Sequence, residues 1–351
     1  MVPSAEPMPA RGASDELEED LVGQTLDGRW TVEARLGAGG MGTVWRARDR
    51  DGQAVAIKAL RKELLHTEDL FARFQQEANA ASRIGNEHIV SVLGFGHTRT
   101  GTPFYAMEFC DGPDLLAILK AEGPLPWRRA FVIAEQICEA LHAAHAAGII
   151  HRDVKPENFV LVASSRHPAA EEREPERGRD FVKVLDFGIA KLMDPDLAAI
   201  ETRTGVSVGT PEYMSPEQGE GLELDGRVDV YGIGVLLYQL VSGRVPFEGG
   251  DEFEIMQRHM SELPTPPSKV MAAGALPKIV DAVILQALEK DREHRYSDMQ
   301  RFARSLRAAR QRDELAPEPE QATTTPRKIP WAAIAVGLVV AVAAIALALS
   351  S

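Results

Sequence analysis

Residues 151–158 read His151-Arg152-Asp153-Val154-Lys155-Pro156-Glu157-Asn158, and 28 residues past Asn158 comes Asp186-Phe187-Gly188. Two acids and an amide in this pattern offer hard oxygen atoms, the ligand type that a nucleotide's divalent cations require. Upstream lies Gly37-Ala38-Gly39-Gly40-Met41-Gly42-Thr43-Val44. Its glycines let backbone N–H groups approach a phosphate without interference from Cβ. A dinucleotide-binding turn uses a similar pattern but opens a helix. Here Thr43-Val44-Trp45-Arg46-Ala47 is β-branched and alternating, so a strand continues instead. Val55-Ala56-Ile57-Lys58 then puts a lysine on a strand facing back under the glycine turn. Taken alone, that lysine reads equally well as the solvated end of an ordinary hairpin. Downstream come Gly209-Thr210-Pro211-Glu212-Tyr213-Met214-Ser215-Pro216-Glu217 and Asp229-Val230-Tyr231-Gly232-Ile233-Gly234.

The chain around these motifs has 351 residues, 44% hydrophobic and 26% charged, enough for one large or two small domains. Its 39 basic and 52 acidic residues leave a net charge of −13, which argues against a nucleic-acid partner. Cys110 and Cys138 are too few for a disulfide framework or a four-ligand zinc site and point to a reducing compartment. Alternation predicts strands over 28–60, 90–96 and 103–109; helical periodicity predicts helices over 71–84, 126–147, 225–242, 276–289 and 297–310. A strand-rich part followed by a helix-rich part implies an α+β protein of two lobes, split near 109/110.

The flanks read differently. Residues 1–27 are expected to be a disordered acidic leader, and 311–330 a Pro/Glu/Thr linker. Trp331 to Leu349 is an apolar run covering roughly 28 Å as a helix, the thickness of a bilayer core, and is expected to be a transmembrane anchor. Arg327, Lys328 and Trp331 precede or open it, so the preceding mass is expected in the cytoplasm and the C-terminus at the far face. With only Ser350 and Ser351 after the run, no external sensing domain is expected. His142 and His145 lack a third ligand and read as structural; Arg301, Arg304, Arg307 and Arg310 read as a solvated stripe.

Together the glycine loop, Val-Ala-Ile-Lys, the 151–158 motif, Asp-Phe-Gly and the two downstream stretches resemble the protein-kinase signature set in its usual order. The phrases GMGTVWRARD and GTPEYMSPEQ are most similar to bacterial, eukaryotic-like (Hanks-type) serine/threonine kinases. The resemblance runs from about Trp30 to Arg310. It implies the bilobal kinase fold over 28–310, ATP as phosphoryl donor, Mg²⁺ (with Mn²⁺ able to substitute), and proteins bearing Ser or Thr as acceptors. In that reading Gly37, Gly39 and Gly42 cover the phosphates. Lys58 holds the α- and β-phosphates and is oriented by Glu77. Asn158 and Asp186 bind the metal, Asp153 takes the hydroxyl proton, and Lys155 neutralises the γ-phosphate. Leu36, Val44 and Ala56 enclose the adenine, with Met107 as gatekeeper; the backbones of Glu108 and Cys110 bond its edge, and Asp114 meets the ribose.

Lys155 and Thr210 match the pattern of kinases that modify serine and threonine rather than tyrosine. Thr202 and Thr204 fall where related bacterial kinases carry activating threonines, with Arg152 and Lys191 as the basic contacts for the phosphate. Autophosphorylation within a homodimer on the membrane is the expected route. The rival readings are a pseudokinase scaffold, disfavoured by the presence of Lys58, Asp153 and Asp186, and a receptor, disfavoured by the short tail. One departure from the family is Ser164 to Asp180, a charged insertion in what is usually a tight turn, expected to be an exposed loop.

Overall fold

The computed structural model describes residues 19–39, 42–60, 84–162, 180–185, 210–272 and 274–314. Six antiparallel strands form the first lobe in the order β1-β2-β3-β4-β6-β5. They are β1 Thr25–Leu26, β2 Trp30–Gly39, β3 Gly42–Arg48, β4 Ala54–Leu60, β5 Val92–His97 and β6 Pro103–Glu108. Period-2 alternation sorts their side chains onto two faces. Trp45, Ala47, Val55, Ile57, Phe104 and Ala106 pack on one face with Trp30 and Val32. Ala56, Tyr105 and Met107 face the other way, into the core shared with the helices.

Residues 19–27 of the expected leader are folded. Leu21 and Leu26 are 1% and 2% exposed in the outer core, Gly23 N–H donates to Val32 O (2.9 Å), and β1 pairs with β2. Thr98 Oγ1 donates to Glu19 Oε2 at 2.7 Å, and Thr100 donates to the same oxygen. The acidic, proline-containing composition of 1–27 concealed two leucines that fill the outer face of the sheet, and burial of such side chains drives the segment onto it. Residues 1–18 lie outside the described set.

The second lobe contains α1 Leu115–Glu122, α2 Trp127–Ala146, the hairpin β7 Phe159–Val162 with β8 Phe181–Val184, and α3 Pro216–Gly219. It continues with α4 Arg227–Ser242, α5 Glu252–Ser261, α6 Pro267–Val270, α7 Lys278–Ala287 and α8 Met299–Glu314. Nearly every residue of α4 is buried, which explains its apolar run from Val228 to Val241. It is the axis against which α2 and α7 pack.

Two expectations at the edges change. The insertion's last residue is not exposed: Asp180 is 6% exposed and takes a two-oxygen ion pair from Arg129 at 2.7 and 2.9 Å, while 164–179 lie outside the described residues. The arginine stripe on α8 is divided. Arg301 remains solvated, but Arg310 Nε lies 2.8 Å from the buried Glu135 carboxylate of α2, and Arg307 reaches both Glu135 and Glu139. A carboxylate with no exposure requires cationic partners, and the helix spacing of 307 and 310 supplies them. The first four residues of the expected linker, Gln311–Glu314, continue α8. Among the described residues no helix is long and apolar enough to cross a membrane; 331–349 are outside them.

Candidate active site

The geometry of the 151–158 segment starts from a buried carboxylate on α4. Asp229 is 1% exposed and accepts three donors: His151 N–H (2.9 Å) and Arg152 N–H (2.8 Å) from the backbone, and His145 Nε2 (2.7 Å) from α2. Burial by itself pushes Asp229 up, but the bond and charge of His145 and the His151 N–H outweigh it and hold the carboxyl below its ordinary value. The clamp fixes the backbone in an unusual shape. Arg152 has φ 62°, a left-handed conformation that a non-glycine residue adopts only when its surroundings demand it. Gln218 Nε2 donates to the Arg152 carbonyl at 3.1 Å from the other side. Gly232 lets α4 come this close, since a Cβ there would lie 2.7 Å from Val154 Cβ.

Asp153 follows directly and is 8% exposed. Its Oδ2 lies 2.9 Å from Lys155 Nζ and accepts Asn158 Nδ2 at 3.1 Å, and its carbonyl accepts the same amide at 2.6 Å. With the Asn158 amide donors directed at Asp153, the Oδ1 atom is the one presented to a cation, a hard donor that suits Mg²⁺. His151 Nδ1 accepts the Asp153 N–H (3.3 Å) and Nε2 contacts Leu185 O (3.2 Å), so the proton belongs on Nε2. Leu185 N–H donates to Asn158 O at 2.8 Å. These bonds place the residue before Asp186 against the catalytic segment; Asp186 itself lies outside the described residues. Arg152, Asp153, Val154, Thr210, Tyr213, Met214 and Gln218 line a common pocket.

Across the lobes, Lys58 is 8% exposed on β4, in register with Val44 of β3 and Tyr105 of β6. Ala56 pairs with Met107, both buried on that same inner face. Leu36 stands 50% exposed on β2, beside the glycines. Gly37, Gly39 and Gly42 lie on the β2–β3 ladder, with Gly39 paired to Gly42. Glu108 ends β6 and its N–H donates to Ser91 O at 2.9 Å. Cys110 is half-buried. Asp114 serves as N-cap of α1, accepting Ala117 N–H at 2.7 Å, a role the sequence reading had not given it. Glu77, Lys191, Thr202 and Thr204 lie outside the described residues.

Sequence reasoning also missed several supports. Ser215 and Gln218 form a reciprocal capping box that starts α3. Glu217, within it, makes a two-oxygen ion pair with Arg295 at 2.7 and 2.8 Å, and the side chains are 5% and 0% exposed. Arg295 sits 78 positions away, beyond any local pattern, whereas Glu217 was already in the quoted motif. His145 has the structural role that its sequence context implies, but a histidine three residues after another on α2 carries no signal that Asp229 lies opposite it.

The protein kinase domain family model matches residues 30–306. A serine/threonine-protein kinase of Myxococcus xanthus, pkn3, is 43% identical over 305 residues, covering 85% of this chain and 54% of its own length. PknB of Mycolicibacterium smegmatis is 38% identical over 277 residues, covering 78% of this chain and 41% of its own length. The chain thus spans about half or less of the curated relatives it matches. The crystal structure of the Mycobacterium tuberculosis PknI kinase domain superposes with a TM-score of 0.62 at 25% identity, covering 83% of this chain and 100% of that one. With the motif order, the clamped 151–158 segment and these matches in agreement, the chain belongs to the protein kinase family.

Proposed function

We propose that this chain is a serine/threonine protein kinase that transfers the γ-phosphoryl group of ATP to hydroxyls of proteins. The observation that carries the reading is Asp153, held by the Asp229 clamp with Lys155 Nζ and Asn158 Nδ2 on one carboxylate oxygen, at 2.9 and 3.1 Å, at the edge of an open pocket. The names of the relatives support the same activity.

Phosphoryl transfer asks for placement and charge neutralisation more than for covalent chemistry. The acceptor hydroxyl enters the pocket beside Thr210 and Met214, and Asp153 accepts its proton as the new O–P bond forms and ADP leaves. Lys155 lies on the same carboxylate and meets the γ-phosphate. Lys58, buried on the inner face of the sheet, meets the α- and β-phosphates, and Val44, Ala56 and Met107 supply an apolar slot for the adenine. With the Glu108 N–H already bonded to Ser91 O, the adenine edge is met by the Glu108 carbonyl and the Cys110 N–H. Asn158 and Asp186 would hold Mg²⁺, which when bound neutralises charge on the β- and γ-phosphates. Lys155 and Thr210 favour Ser and Thr acceptors.

The same reading includes autophosphorylation at Thr202 or Thr204, a phosphate there being held by Arg152 and Lys191, and tethering by 331–349. The full chain with labelled ATP and Mg²⁺ tests it: Lys58→Met and Asp153→Asn should each abolish incorporation. Undiminished labelling in Asp153→Asn would overturn the assignment. Resistance to carbonate extraction tests the anchor separately.

A further inference from the structure

Lys183 is buried beside the site yet has no part in the transfer step described above. It lies on β8 between Val182 and Val184, in a strand whose four residues are all buried, and its own side chain is 6% exposed. A lysine there must find an anion or lose its charge. The anion comes from the other lobe: Nζ is 2.9 Å from Glu108 Oε1 and 3.0 Å from Oε2, a grip on both carboxylate oxygens. Glu108 is the last residue of β6, where the chain leaves the sheet and crosses to α1.

The two ends of this pair are anchored unequally. On the β8 side, Val184 N–H donates to His88 O (2.7 Å), Val90 N–H donates to Val184 O (3.1 Å), and Leu185 is bonded to Asn158 and His151. His88 Nδ1 meets Val182 O at 2.9 Å. This strand is therefore locked to the catalytic segment three residues before Asp186. On the other side, the Glu108 side chain is 34% exposed, and its backbone carries the carbonyl that faces the adenine edge in the kinase reading. Restricting the carboxylate of Glu108 restricts that carbonyl.

We infer that Lys183 is a positioning residue for the nucleotide: its ion pair with Glu108 ties the adenine-binding crossing to the strand that leads into the metal-binding acid. The inference rests on the kinase reading. It separates Lys183 from groups that touch the γ-phosphate, because a loosened crossing weakens nucleotide binding while leaving Asp153, Lys155 and Asn158 in place.

The test uses the full chain with ATP, ADP and a protein acceptor. Lys183→Met should raise KM for ATP and the dissociation constant for ADP about tenfold, the scale of one partly buried charge-assisted contact. The value of kcat and the KM for the protein acceptor should stay within about twofold. Lys183→Arg should recover most of the loss. Glu108→Gln, at the more exposed end, should give the same shift if Lys183→Met folds poorly, and the double variant should be no worse than either single one. A fall in kcat with unchanged KM for ATP, or additive losses in the double variant, would overturn the inference while leaving the kinase reading intact. Absence of ATP-dependent transfer by the unaltered chain would overturn the kinase reading and this inference with it.

Discussion

Replacing Asp229 by Asn is the sharpest probe of how α4 builds the active site, because it changes charge and one donor without changing shape. In the native chain Oδ2 takes both His145 Nε2 (2.7 Å) and His151 N–H (2.9 Å), while Oδ1 takes Arg152 N–H (2.8 Å). An asparagine keeps at most the two bonds at one oxygen position; its NH₂ then points at the Arg152 N–H, donor against donor, in a site that is 1% exposed. Losing one charge-assisted bond and weakening two others should lower the unfolding free energy by about 3 to 5 kcal/mol. That is a large part of a typical total of about 5 to 15 kcal/mol. The catalytic effect should be larger than the stability loss suggests. The released group is the backbone of Arg152, held at φ 62° one residue before Asp153, and a displacement of about 1 Å at a reacting group costs roughly a hundredfold in rate. We expect kcat to fall about a hundredfold with KM for ATP little changed, since Lys58 and the adenine slot sit elsewhere. His145→Asn, which leaves the carboxylate and both backbone bonds in place, should fall between. Initial rates at saturating ATP, paired with urea unfolding followed by tryptophan fluorescence, measure both quantities. A kcat within about threefold of the native value would refute the clamp as the organiser of the site. The pH dependence has a definite sign. Because the folded carboxyl is held below its ordinary value, its contribution is complete above the ordinary carboxylate range and is lost as pH falls through the lower folded value, so neutral-range rate changes must come from other groups.

Three further outcomes are expected. Arg295→Ala leaves the Glu217 carboxylate, 5% exposed, without its partner and should destabilise by about 3 to 5 kcal/mol, whereas Glu217→Leu with Arg295→Met should lose less; thermal unfolding of both decides it. His259, 1% exposed, is held down to about 3 from 6.5 by burial and the charge of Lys290. The unfolded chain therefore binds a proton below pH 6.5 that the folded chain refuses, so stability drops as pH falls from 6.5 toward 3, and His259→Gln should remove about 2 kcal/mol of the loss between pH 7 and pH 5. Leu21→Ala should cost about 2 kcal/mol in urea unfolding without altering KM for ATP, whereas a disordered leader would tolerate it at no cost.

What was legible in the sequence divides along physical lines. Strands β2 to β6 and helices α2, α4, α7 and α8 were readable because each has a period and a length that burial imposes on its own residues. Asp153, Lys155 and Asn158 were readable because their chemistry is local, packed into six consecutive positions. Short elements gave no such signal. β1 has two residues, β7 and β8 have four each and are buried throughout, and α5 is a mostly polar helix with Phe253 exposed. Polar partners distant in sequence gave still less. Asp229 appeared inside a quoted motif, yet its three donors come from α2 and the catalytic segment, and only the fold brings them to one point.

The buried charges follow the same rule with more consequence. Glu135, Asp180, Lys183, Glu217 and Arg295 carry no local sign of burial, since charge in a sequence normally means exposure. Each is buried and each is paired with a residue 51 to 175 positions away, from Arg129 and Asp180 to Glu135 and Arg310. A buried ion pair contributes little net stability when compared with apolar residues of the same size, but it penalises any arrangement that separates its partners. Four such pairs therefore act on alternatives rather than on the native state. They disfavour conformers in which α8 leaves α2, the insertion's end leaves α2, the crossing leaves β8, or the segment ending at Glu217 leaves the Arg295 loop. The last two bracket the site. One sits under the nucleotide edge and the other under the acceptor pocket, so the machinery at Asp153 is held between two contacts whose failure is costly.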